Sequence, residues 1–111
     1  MNLAFAYLLL LVAAGLEAGG DALVRVALYS AATGSRAIFF AAGAVVLFAY
    51  GCAVNAPPWD FGRLLGVYVT LFFLVAQAIN FFVFGVRPPL PIYVGGSLII
   101  TGGLLITLWR A

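Results

Sequence analysis

The sequence predicts an all-α polytopic membrane protein, a single domain over residues 1–111 with four transmembrane helices. Two observations predict it. The first is composition: 67% of the 111 residues are hydrophobic and 7% charged, with a mean hydropathy of +1.25. A soluble domain carries roughly a quarter charged residues, so this chain cannot cover a water-facing surface. The second is spacing. Four apolar stretches stand between short polar breaks, each close to the ~20 residues that cross ~30 Å of hydrocarbon at ~1.5 Å per residue. Helices are expected over strands because backbone groups in lipid must pair within their own segment, and the apolar runs do not alternate.

The first stretch runs over 3–24, interrupted by charge only at Glu17 and Asp21; the others cover 37–54, 64–84 and 90–109. The breaks between them carry turn chemistry. Tyr29 to Arg36 is small and polar, Asn55 to Asp60 holds Pro57 and Pro58, and Gly85-Val86-Arg87-Pro88-Pro89 reads as a tight hairpin. Proline has no N–H to continue a helix. Trp59, Tyr93 and Trp109 fall near the expected membrane–water boundaries, where amphipathic rings are favoured. Ala13-Ala14-Gly15 offers a weak cleavage-like site, but no basic residue precedes the apolar run as a signal peptide requires. Loss of the first segment is therefore not expected.

Five arginines against Glu17, Asp21 and Asp60 give a net charge of +2, with no Lys and no basic run. That leaves no footprint for nucleic acid. Cys52 is alone and His is absent, which excludes an internal disulfide and makes a metal or haem cofactor built on the usual ligands unexpected. A buried Glu without His, a Cys pair or a metal cluster is also too thin a site to suggest an enzyme. Arg25, Arg36 and Arg87 would share one side of the membrane, and Arg63 and Arg110 the other. Three against two is a weak orientation signal under the positive-inside rule. It permits insertion both ways round, and equally a fixed orientation with the Arg-richer side cytoplasmic.

Glu17 is the leading functional candidate. It sits well inside the first segment, where a carboxylate costs ~2.5–3.5 kcal/mol or more and so faces a bundle interior or a wet cavity. Low-dielectric surroundings disfavour the ionised form of a carboxyl and favour proton exchange. The plainer alternative is a protonated Glu making one interhelical hydrogen bond. Asp21 and Arg25 follow at i+4 and i+8 on the same face, and are expected to form an ion pair near the membrane boundary. Thr70 and Gln77, seven apart on helix three with Asn80 nearby, could line a polar path opposite Glu17, although such residues more often act as interhelical glue worth about 1 kcal/mol. Gly95, Gly96, Gly102 and Gly103 repeat at seven residues along helix four and make a smooth stripe for another helix. Four helices enclose little room for a solute, which favours use of that stripe by a second subunit. The phenylalanines are lipid contact or packing by default, while a few, with Tyr7, Tyr50 and Tyr68, could wall a site for a cationic solute.

The length, the run Leu16-Glu17-Ala18-Gly19-Gly20 and the Gly-rich fourth helix resemble the small multidrug resistance proteins of the drug/metabolite transporter superfamily. Glu17 and Arg25 match that family's first-helix glutamate and the basic residue eight positions on. Gly66-Val67-Tyr68-Val69 and Gly85-Val86-Arg87-Pro88 are similar to the YnfA-like branch in particular. The resemblance implies proton-coupled efflux of small lipophilic or guanidinium-type cations by an antiparallel homodimer in a bacterial inner membrane. Glu17 would then be the shared proton and substrate site, Tyr68 a substrate contact, and Gly95 and Gly102 the dimer stripe. The chain departs from the pattern at Thr70 and Phe72, where multidrug members carry helix-three glycines, and at Asp21, an extra acid. The rival expectation is a non-transporting accessory subunit of a larger membrane complex.

Overall fold

The computed structural model describes residues 1–109 and consists of helices α1 (Leu3–Tyr29), α2 (Thr33–Val54), α3 (Phe61–Phe82) and α4 (Leu90–Leu108). Arg110, one of the arginines weighed for topology, lies outside the described residues. All four helices are long and apolar enough to cross a membrane. Their ends differ from the sequence expectation in ways that have local causes. α1 continues past residue 24 to Tyr29, because Asp21 and Arg25 interrupt hydropathy without breaking a helix. Its 27 residues span about 40 Å at ~1.5 Å per residue, more than a hydrocarbon layer needs. α2 starts at Thr33, so only Ser30 to Ala32 link it to α1. A connection this short makes the two antiparallel neighbours.

The second break ends and restarts the chain with polar side chains. Asn55 Nδ2 donates to the Gly51 carbonyl at 2.9 Å at the end of α2. Asp60 then caps α3 by accepting from the Arg63 N–H at 3.1 Å, which begins that helix at Phe61 instead of residue 64. α3 stops at Phe82 because the chain turns through Gly85, whose φ of +68° is the left-handed region that glycine enters freely. That turn brings the Val86 N–H to the Asn80 carbonyl at 3.0 Å. Pro89 and Pro91 open α4, where the first turn has no intrahelical use for a proline N–H.

α1 is the hub. On one side Gly20 of α1 and Gly43 of α2 let the two backbones approach, so that a Cβ on Gly43 would meet Val24 at 2.7 Å and the Gly20 carbonyl at 3.2 Å. On the other side Leu10, Ala13 and Ala14 bury against Leu64, Val67 and Tyr68 of α3, with Val54 of α2 closing the same cluster. α4 packs on α3 through a ladder of three contacts, Ile106 at Gly66, Gly103 at Thr70 and Gly96 at Phe73. The molecule measures 53 × 35 × 19 Å, with a three-helix core and α4 as a flank.

The close approach at Gly43 gives a direct test. Gly43→Ala should cost about 1–3 kcal/mol, the usual effect of overpacking. Gly51→Ala, where a Cβ meets nothing within 4 Å, should be neutral or gain up to about 1 kcal/mol of helix propensity. Thermal unfolding in detergent, followed by circular dichroism, checks the pair. Equal stabilities would contradict the α1–α2 contact.

Candidate functional site

Glu17 lies near the midpoint of α1 and is half-buried, between α2 and α3. Three of its neighbours along the helix, Ala13, Ala14 and Ala18, are buried and small, which is what allows large rings from the facing helices to reach it. Tyr68 of α3 is 3% exposed, and its hydroxyl donates to Glu17 Oε1 at 2.8 Å. Tyr50 of α2 lies beside this pair, its ring centroid 5.8 Å from that of Tyr68, and Phe72 follows one turn along α3 at 6.1 Å. A carboxyl in apolar surroundings needs such a donor, because an unpaired buried acid bears the whole cost of desolvation.

Beyond Phe72, toward the first and third connections, α1 and α3 part. The space between them is a cleft of about 330 Å³, with Asp21 and Arg25 on the α1 wall and Phe72, Gln77 and Asn80 on the α3 wall. Asp21 and Arg25 are both exposed, and the expected ion pair between them is not formed among the described residues. The Arg25 guanidinium lies over the Tyr29 ring instead, 5.4 Å from its centroid. The reason is the length of α1: because the helix runs on to Tyr29, Arg25 has an aromatic partner at i+4.

Thr70 and Gln77 separate. Gln77 lines the cleft, whereas the Thr70 hydroxyl turns to α4 and donates to the Ile99 carbonyl at 3.4 Å. Thr70 is therefore glue between α3 and α4 and does not join Glu17. The glycines of α4 divide as well. Gly96 and Gly103 are buried against Phe73 and Thr70 within the chain, so they are not surface for another subunit. Gly95 and Gly102 have nothing within 4 Å of where a Cβ would stand. The hydroxyls of Ser97, Thr101 and Thr107 bond back to the Tyr93, Ser97 and Gly103 carbonyls of their own helix, which leaves α4 with no polar reach toward Glu17.

Sequence reasoning missed that Arg63 belongs to α4's end, where Nη2 donates to the Thr107 carbonyl at 3.3 Å. The last carbonyls of a helix lack intrahelical donors and attract a cation, a signal visible only once α3 and α4 are known to be neighbours. It also did not single out Phe72 and Asn80 as walls of one cleft with Asp21.

Fold and site together define a four-helix chain of membrane-crossing length with one carboxylate held at mid-helix by a phenol. No protein-family model, curated protein or solved structure matches the chain.

The Glu17–Tyr68 bond can be measured by a double-mutant cycle on stability. Tyr68→Phe keeps the ring and its contacts, and Glu17→Ala removes the acceptor. A coupling of about 0.6–1.7 kcal/mol is expected for a hydrogen bond between such helices. A coupling of zero would mean that the hydroxyl and carboxyl do not meet.

Proposed function

We propose that the chain is an integral membrane exporter that exchanges protons for small organic cations at Glu17. The observation that carries this reading is a mid-helix carboxyl held by the Tyr68 hydroxyl, adjacent in sequence to Ala18, which lines the cleft between α1 and α3 with Phe72. An ionised Glu17 attracts a cation, and a proton arriving at the same oxygens releases it, so one site serves both ligands by competition. Tyr68 supplies a hydrogen bond that any cation must replace or share. The Tyr50, Tyr68 and Phe72 rings offer π-faces to a desolvated cation, while Gln77 and Asn80 give the cleft amide oxygens. By the same resemblance that suggests the activity, the working unit would be an antiparallel homodimer in a bacterial inner membrane, with Gly95 and Gly102 turned to the partner.

A second reading has support in α4. Its Gly95 and Gly102 face is open and suits another membrane subunit as well as a second copy. On that reading the chain is a non-transporting accessory subunit. Co-purification with a fixed larger partner, without self-association in mild detergent, would favour it.

The deciding experiment is transport into proteoliposomes under an imposed proton gradient, with a panel of organic cations, for wild type and Glu17→Gln. Gln has the shape of Glu and still offers an oxygen to Tyr68, so folding should survive. Wild type should carry a gradient-dependent cation current, and the variant should lose it. Retained proton-driven transport in the variant would overturn the mechanism.

A further inference from the structure

The opposite end of the bundle, where the second connection meets the start of α1 and the end of α4, holds a larger cleft of about 550 Å³. It has no contact with Glu17. Tyr7, Trp59, Asp60, Arg63, Thr107 and Trp109 line it, with Tyr7 and Trp59 packed edge to face at 5.5 Å between centroids. Among the described residues, its lining carries one cation, Arg63, and one anion, Asp60. Arg63 spends a single N–H on the Thr107 carbonyl, and a guanidinium has five. Asp60 uses Oδ2 to cap α3, and a carboxylate has a second oxygen with its own lone pairs.

Immediately deeper along the same helices lies a groove of about 120 Å³ that shares Tyr7 and Thr107 with the upper cleft. Its other walls include Val67, Leu71 and Leu104. A polar chamber carrying both charges therefore stands on an apolar groove that leads toward the middle of the helices. Two tryptophans and a tyrosine surround the join, at the level where such rings favour the membrane interface.

We propose that this paired cleft is a binding site for a phospholipid whose head group carries a primary ammonium, of the phosphatidylethanolamine type. Arg63 takes the phosphate by charge-assisted hydrogen bonds. Asp60 takes the ammonium, with the Trp59 and Trp109 rings beside it, and one acyl chain follows the groove past Val67, Leu71 and Leu104. The pairing selects the head group. A glycerol head has no cation for Asp60, and a choline head has a cation without N–H donors. The inference is independent of the transport reading, and loss of either leaves the other standing.

Native mass spectrometry of the detergent-purified chain tests it, by titration with phosphatidylethanolamine, phosphatidylcholine and phosphatidylglycerol of matched acyl chains. The first should bind at one site about tenfold more tightly than the other two, the factor expected of one hydrogen bond to a charged group. Asp60→Asn keeps the helix cap, since Asn caps as well as Asp, and should erase that preference. Arg63→Gln should weaken all three lipids together. Soluble phosphoethanolamine, which has no acyl chain, should bind far more weakly than the lipid. Equal binding of the three lipids to the wild type would overturn the proposal. So would a preference that survives Asp60→Asn, or phosphoethanolamine binding as tightly as the lipid.

Discussion

The structure depends on how closely two helices can approach α1. Between helices of this apolarity with lipid as solvent there is little hydrophobic force, and association rests on close fit and a few hydrogen bonds. α1 meets that need with small side chains. Ala13 and Ala14 admit Leu64, Val67 and Tyr68 of α3, while Gly20 admits Gly43 and Leu47 of α2. Glu17 stands between these two contacts on the helix, so the packing that joins α2 and α3 to α1 also encloses the carboxyl. Tyr68 then serves twice: its ring fills the core at 3% exposure, and its hydroxyl satisfies the acid.

Helix number and type were legible in the sequence because a run of apolar residues long enough for a bilayer is a one-dimensional signal. Helix ends were less so. Asp21 and Arg25 lower hydropathy over a stretch that remains helical, and Thr33-Gly34-Ser35 reads as loop yet forms the first turn of α2. Neighbour choice was not legible at all. Gly95-Gly96 and Gly102-Gly103 make two adjacent stripes about 100° apart around the helix, and nothing in the chain marks which one turns inward. Thr70 and Phe73 decide it, by standing where only Gly96 and Gly103 leave room.

The candidate site was legible in part for similar reasons. A carboxylate in an apolar segment stands out by its cost, so Glu17 needs no structure to be noticed. Its partner Tyr68 is 51 positions away in sequence, beyond any periodicity; the sequence marked Tyr68 as a possible wall and the resemblance as a substrate contact, but neither joined it to Glu17. Heptad spacing joined Thr70 to Gln77, but a shared face does not fix what that face meets along its length. At Thr70 it meets the Ile99 carbonyl of α4, and at Gln77 it borders the cleft against α1. Spacing places residues on one helix; it cannot say which neighbour lies beside each turn.

The two ends of the core differ, and the difference bears on the transport proposed above. Toward the termini, Leu10, Val54 and Leu64 close the three helices against one another. Toward the first and third connections α1 and α3 part, leaving Asp21, Gln77 and Asn80 around open space. Within one chain, then, the open space lies on the Asp21 side of Glu17, and the packed cluster lies on the other. A transporter must expose its site to each side in turn. One chain could do so only by prising apart Leu10, Val54 and Leu64, each under 3% exposed, at the cost of their burial. Two copies inserted in opposite senses would instead carry one parted end and one closed end on each side of the membrane, so that exchange of the two conformations between copies opens one face as it shuts the other. The near balance of arginines along the chain sets no strong barrier to such opposite insertion. On the proposed transport reading, this asymmetry within the single chain favours a paired, oppositely oriented assembly over one chain acting alone.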